Sequence, residues 1–258
     1  MVNFKFLQKL FFLLVMGFSL CAVQACGDDE ENEAIQDPNE EENVKPDNGK
    51  EEEKPKDTME AVDLGLSSGT LWATCNVGAS SPEESGDYYA WGEIKEKDTY
   101  SWETYIWCDG AKNTFTKYCS DSENGIVDNK KSLESSDDIV YIKWGSNWCM
   151  PTATQFKELC NECSWEWTTY NDVNGQLVTG PNGNSIFLPA TGRKYGSHVS
   201  YFNSEGYYLS ATLLDDLDSH MYILFFNDGE DHTDPFTDER LRCTGHTVRP
   251  VMNNPSDN

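Results

Sequence analysis

Gly65-Leu66-Ser67-Ser68-Gly69 spells G-x-S-x-G, the spacing that can hold a nucleophilic serine on a sharp strand-to-helix turn. Such an elbow needs strands before it and a helix after it. Here a β-forming run, Thr70 to Val77, follows instead, so an ordinary Gly/Ser turn is expected. Cys160-Asn161-Glu162-Cys163 spells C-x-x-C, which serves redox-active thiols or half of a zinc site. The sequence has neither a second C-x-x-C nor a His pair at zinc spacing, so structural cysteines are expected. The four histidines, 198, 220, 232 and 246, form no H-E-x-x-H. His220 and His232 lie in an acidic stretch with Asp215, Asp216, Asp218, Asp228, Glu230, Asp231, Asp234, Asp238 and Glu239. Hard oxygen ligands at that density could hold Ca²⁺, which takes roughly six to eight oxygens. EF-hand spacing is absent, and a solvated acidic face is the plainer alternative. Tyr195, Tyr201 and Tyr208 sit among Gly, Ser and Asn, where rings could stack on sugars through their flat apolar faces.

Two segments therefore supply the ligand candidates. From 193–205 they are Tyr195, His198 and Tyr201. From 213–240 they are Asp215, Asp218, His220, Asp228, Glu230, Asp231 and His232. No catalytic residue and no cofactor is expected, with Ca²⁺ the one ion to consider.

The elements that must position these residues are mostly short strands. Thr70–Val77, Asp87–Trp91, Trp165–Asp172, Gln176–Thr179, Ser185–Leu188 and Met221–Phe226 have strand composition. Asn174-Gly175 reads as the turn of a hairpin. Pro151 to Cys163 is the best helix, with Phe156 and Leu159 on one face. Ser120 to Ser136 reads as a loop. Thr247–Val251 reads as a last strand, with Pro250 placing it at an edge or a bulge. Strands with one or two helices give an α+β fold. Most tryptophans, among them Trp72, Trp91, Trp144, Trp148, Trp165 and Trp167, are assigned to the core.

Composition narrows the function. The chain has 258 residues with 45 acidic against 19 basic side chains, a formal charge of −26. That excess argues against nucleic acid, which is bound through a basic footprint. It argues equally against a polybasic dock on anionic lipid. No repeat of fixed period stands out.

The N-terminus reads as a signal peptide over 1–25. Lys5 and Lys9 precede the uncharged run Leu10 to Leu20. Val23-Gln24-Ala25-Cys26 resembles a bacterial lipobox, which makes Cys26 the lipidation residue. The acidic residues that follow resemble the signal that sends Bacteroidetes lipoproteins to the outer face of the outer membrane. Residues 26–60 read as a disordered tether, since 27–60 carry 15 acids, four lysines and three prolines. Asp57-Thr58-Met59 resembles a short O-glycosylation sequon at Thr58. The folded domain is expected over 61–258. Seven cysteines then remain, and Cys108 with Cys119 is the expected local pair.

Five blocks in order carry a wider resemblance: Ala61–Glu93, WGSNWCMPT at 144–152, NGNSIFLPATG at 182–192, YYLSATL at 207–213 and GHTVRPV at 245–251. They resemble the Fibrobacter succinogenes major paralogous domain, a family abundant in Bacteroidetes lipoproteins. The resemblance covers essentially all of 61–258 and implies a C-type lectin-like fold. The family usually has Arg before Met-Pro-Thr, where this chain has Cys149. Aromatic or small residues are common in the family at the position of Cys243. Cys149 and Cys243 are therefore expected to compensate each other as a pair. More distant formylglycine-generating relatives use two cysteines near the C-terminus to hold copper. Only Cys243 lies there, which argues against that chemistry.

The expectation is a surface-exposed lipoprotein, anchored to the outer membrane and displaying a non-catalytic lectin-like module. Its ligand is expected to be a glycan or a surface protein. A structural or accessory subunit of a surface assembly is the alternative.

Overall fold

The structure is a computed structural model and describes residues 60–228 and 236–252. In chain order its strands and helices are β1 (Ala61–Asp63), β2 (Leu71–Ala73), α1 (Ile139–Trp144), β3 (Trp148–Cys149), α2 (Ala153–Glu162), β4 (Ser164–Tyr170) and β5 (Val173–Thr179). They continue with β6 (Ser185–Pro189), β7 (Arg193–Tyr195), β8 (His198–Ser200), β9 (Glu205–Leu213), β10 (His220–Asn227), β11 (Phe236–Leu241) and β12 (Val251–Met252). Every strand pair is antiparallel, in sheets ordered β1-β2-β12-β3, β11-β10-β9, β4-β5-β6 and β7-β8. Short strands in small sheets with two α-helices make the class α+β. No helix among the described residues is long and apolar enough to cross a membrane.

β9 and β10 divide two cores. Leu209, Leu213, Met221 and Ile223 face one, with Trp91, Tyr89 and Ile139. Tyr208, Leu224 and Phe226 face the other, with Trp72, Phe156, Leu159 and Leu188. A strand buried on both faces has no polar side to alternate with, hence the unbroken Met221–Phe226 run. A third cluster of Tyr88, Tyr100, Tyr105, Phe115, Cys108, Cys119 and Cys243 is built almost wholly from irregular chain.

α2 starts where its sequence permits. The Thr152 hydroxyl accepts from Gln155 N at 3.2 Å, and the Gln155 side chain accepts from Thr152 N at 2.9 Å. This reciprocal cap fixes Thr152 just outside the helix. Pro151 is therefore beyond the helix, and Phe156 and Leu159 supply its buried face. α1 falls outside the expected elements. Its sequence, IVYIKW, is β-branched and aromatic, but the buried Asp138 caps it by accepting from Val140 N and Tyr141 N. The same carboxyl accepts from Met150 N at 2.9 Å.

Four expectations are corrected. The β4–β5 turn lies at Asn171-Asp172, whose φ values are 47° and 64°, not at Asn174-Gly175. Gly175 lies within β5 because a Cβ there would sit 2.3 Å from Leu188 O, on the neighbouring strand β6. β12 lies between β2 and β3 rather than at an edge, because Pro250 precedes the ladder and withholds no hydrogen bond from it. Only Leu71–Ala73 of the first expected strand forms a ladder. The Asp87–Trp91 stretch pairs irregularly, with Tyr89 and His246 exchanging backbone bonds and Trp91 N donating to Arg242 O.

Neither expected disulfide forms: Cys108, Cys119, Cys149 and Cys243 are free thiols. Cys108 Sγ donates to Trp102 O at 3.1 Å and Cys119 Sγ to Asp121 O at 3.1 Å. Cys149 packs with the α2 core and Cys243 with the aromatic third cluster. The C-x-x-C pair lies at the end of α2, also against its core.

Two fully buried arginines close the domain. Arg249 donates to Asn76 Oδ1 (2.8 Å), Ala73 O (3.0 Å), Thr74 O (2.5 Å) and Phe187 O (2.9 Å). Arg242 donates to Tyr118 O (2.7 Å), Lys117 O (2.8 Å) and Asp218 O (3.0 Å), and its guanidinium carbon lies 4.0 Å from the Phe115 ring centroid. Neither has a carboxylate partner among the described residues. Burial pushes the Arg249 pKa below its ordinary value, but a guanidinium that satisfies several carbonyls at once stays protonated. Replacing Arg249 with Met should cost about 3–5 kcal/mol, since each carbonyl left unsatisfied costs roughly 1–3 kcal/mol. Arg249→Lys should not restore stability, because one ammonium cannot reach carbonyls arranged for a planar fork. Denaturant melts of both variants, followed by tryptophan fluorescence, read this directly.

Candidate ligand-binding face

The expected site residues separate into three groups. Cys26, Thr58, Glu230, Asp231 and His232 lie outside the described residues. The rest of the acidic segment is not one loop: β10 and β11 occupy most of it. Asp215 and Asp228 are exposed, and His220 is half-buried with Nδ1 3.0 Å from Ser219 Oγ. Among the described residues no three His, Cys, Asp or Glu side chains converge as a metal site.

Asp218 is the clear correction. It is buried and holds the chain rather than a ligand. Its carboxylate accepts from Ser120 N (3.0 Å), Ser120 Oγ (2.7 Å), Asn124 Nδ2 (3.3 Å) and Lys131 Nζ (2.8 Å). Burial opposes its charge, but Lys131 and the Ser120 donors outweigh burial and hold the carboxyl well below the ordinary carboxylate range. Tyr208 is likewise buried, its hydroxyl donating to Pro189 O at 2.6 Å.

The third group converges. β7 and β8 form a two-stranded ribbon pairing Arg193 with Ser200 and Tyr195 with His198. Residues two apart share a face of such a ribbon, so Arg193, Tyr195, His198 and Ser200 lie together. Tyr195 is 58% exposed and Tyr201 50%. The ribbon is held to the C-terminal segment by mutual backbone bonds between Lys194 and Gly245, 2.8 and 2.9 Å. Gly245 allows this approach, since a Cβ there would meet the Tyr100 ring at 2.7 Å. On the ribbon's other side Lys194 Nζ lies 4.7 Å from the Tyr88 ring centroid.

Sequence reasoning missed the centre of this face. Tyr207 of β9 is its buried floor. The guanidinium carbon of Arg193 lies 5.6 Å from both the Tyr201 and Tyr207 ring centroids. Arg240 of β11 lies 5.4 Å from the same Tyr207 centroid. Tyr207 donates its hydroxyl to Glu205, and burial followed by that carboxylate raises its pKa, so it stays a phenol. Arg240 pairs with Asp238. Arg193 has no carboxylate partner among the described residues. The available signal was scarcity: the chain has only four arginines, at 193, 240, 242 and 249.

Tyr201 is held in the left-handed region, φ 62°. A non-glycine residue there costs roughly 1–2 kcal/mol. Its carbonyl accepts from Ser204 N (3.2 Å) and Glu205 N (3.0 Å), and Asn203 N donates to Ala190 O at 2.8 Å. These bonds keep the strained turn and present the ring beside Arg193.

Elsewhere, a cavity of about 410 Å³ lies on the outer face of β4–β5–β6 against Thr74 and Pro82, with Tyr170 and Phe187 in its wall. A second, of about 560 Å³, opens to the surface and is lined by residues 93–99 with Thr104 and Ile106. The G-x-S-x-G turn joins two strands and docks on α2. Ser67 donates to Glu162, and Ser68 to Glu158. No helix follows it to make an elbow.

Below Tyr207, His246 is fully buried and packs against it, tilted by 38° with ring centroids 5.7 Å apart. The Thr244 hydroxyl donates to Leu241 O, so the 2.7 Å contact to His246 Nε2 is a bond that the ring N–H donates. Burial first, then the Arg193 and Arg240 charges, lower its pKa to about 3. The unfolded chain titrates this group near the usual value of about 6.5. The neutral ring's contribution is thus complete above that pH and declines as pH falls toward 3. Melting temperature should drop between pH 6.5 and 4, and His246→Gln should flatten the slope by up to one proton. His220, its pKa also lowered chiefly by burial, adds slope of the same sign. Loss of the Asp218 contribution begins lower, as pH falls through the ordinary carboxylate range of about 4.

The chain matches no family model, no curated protein and no solved structure.

Proposed function

We propose that this chain is a surface lipoprotein of the Fibrobacter succinogenes major paralogous domain family. In this reading Cys26 carries the lipid at the outer membrane and 27–60 is the spacer. The domain is a non-catalytic, C-type lectin-like binding module for glycans. The observation that carries the reading is the β7–β8 face. Exposed Tyr201 stands beside half-buried Arg193 over the Tyr207 floor, and exposed Tyr195 shares the ribbon face with Arg193. Flat rings next to fixed donors are what a sugar ring requires, an apolar face to stack on and polar groups to orient it.

Other features support the same fold and the lack of catalysis. The strand that opens the domain and the strand that closes it are both neighbours of β2 in one sheet. Long irregular stretches, such as 74–101, are folded back over the sheets. Three of the cysteine thiols are poor nucleophiles. Burial pushes Cys149 and Cys163 up to about 11 and Cys243 up to about 12. The alternative, a subunit of a surface assembly, draws on exposed Val199 and Phe202 on the same hairpin and the turn after it.

A glycan array probed with the full chain in mild detergent tests the reading. Binding should appear, should persist in EDTA, and should fall at least tenfold in Tyr195→Ala and in Tyr201→Ala. Binding that disappears in EDTA would move the site to the acidic residues. Absence of any glycan binding would favour the assembly reading.

A further inference from the structure

The geometry points to a carboxylate-bearing saccharide, a uronate or a sialate, as the ligand of this face. The inference rests on the face being a glycan site and adds the charge of the glycan. Arg193 is half-buried beside two tyrosine rings and has no carboxylate partner among the described residues. A partly desolvated cation gains most from an anion that arrives in its plane, and a guanidinium receives a carboxylate through two parallel N–H donors. Arg240 flanks the same Tyr207 ring. Its NH1 is shared between Asp238 and the Glu239 carbonyl, and five donors per guanidinium leave others for a ligand. In a chain of formal charge −26, two arginines covering one buried ring offset the Glu205 and Asp238 charges beside it.

The neighbouring acceptors select a sugar over a bare anion. Glu205 accepts from the Tyr207 hydroxyl and Asp238 pairs with Arg240, and both carboxylates are half-buried. Each carboxylate accepts about four hydrogen bonds and uses part of that capacity here. Carboxylates beside a carboxylate ligand are tolerable only if the ligand also brings hydroxyl donors to them. An acidic saccharide does so, and it lays an apolar ring face on Tyr201.

The test is isothermal titration of the full chain in mild detergent with matched ligands. One arm uses trigalacturonate and its methyl ester, the other sialyllactose and lactose. The acid of at least one arm should bind at least tenfold tighter than its neutral match, and the arm that responds identifies the source of the carboxylate. Affinity should fall with added salt. Arg193→Gln and Arg240→Gln should each remove the preference for acid while keeping the melting temperature within a few degrees. Tyr201→Gly should melt no lower than the parent and bind the acid more weakly, which a purely structural tyrosine would not do. Equal binding of acid and neutral partner would overturn the inference and leave the glycan reading standing. A preference for acid that survives in both arginine variants would also overturn it. Failure of both arms, with no glycan bound on the array, would overturn the inference and the glycan reading together.

Discussion

Buried main-chain carbonyls are the constraint on which this domain depends. Its strands are short, and between Ala73 and Ile139 the described chain forms no strand and no α-helix. Irregular chain cannot satisfy its own polar groups by ladders, yet much of this stretch is buried. The solution is two guanidiniums placed inside. Arg249 gathers carbonyls from the turn after β2 and from β6, and Arg242 gathers them from the 107–118 stretch and the β9–β10 connection. A buried cation without an anion is ordinarily expensive. Here the partial charges of several carbonyls replace the anion, and a planar fork is the only side chain that reaches so many at once. Asp218 does the converse for amide and hydroxyl donors around Ser120, and Asp138 does so for the start of α1 and Met150.

Legibility from sequence followed this division. α2 carried its own cap and its own apolar face, so its place was readable to within two residues at the start and one at the end. β10 was readable because both of its faces are buried and its whole run is apolar. The failures came where tertiary contact overrode a local signal. Asn174-Gly175 has turn composition, but Gly175 is needed in a strand for a close approach to β6. IVYIKW has strand composition, but Asp138 caps it into a helical turn and a half. The irregular third core cannot be seen in periodicity, since its members share no element.

The site was half legible, for a related reason. Exposed tyrosines among small polar residues marked the β7–β8 ribbon. In the acidic stretch the buried Asp218 holds the chain through Ser120 and Lys131. In a chain this acidic a carboxylate is ordinary, and the informative charge is the rare one. All four arginines occupy positions of consequence, two in the core and two at the surface around one ring. Nothing in the sequence separates the two kinds; that follows only from where the C-terminal segment passes.

That segment links the core to the candidate face. Between Arg242 and Arg249, each pinned by carbonyls, the chain runs through Gly245 and His246. Gly245 holds Lys194 by two backbone bonds, which sets the height of Arg193 on the adjoining residue. His246 packs under Tyr207, the ring that both surface arginines cover. The position of Arg193 relative to Tyr207 is therefore fixed by buried groups rather than by the exposed hairpin. A neutral, buried His246 belongs beneath two guanidiniums: a third positive charge there would repel both, and burial prevents it from forming.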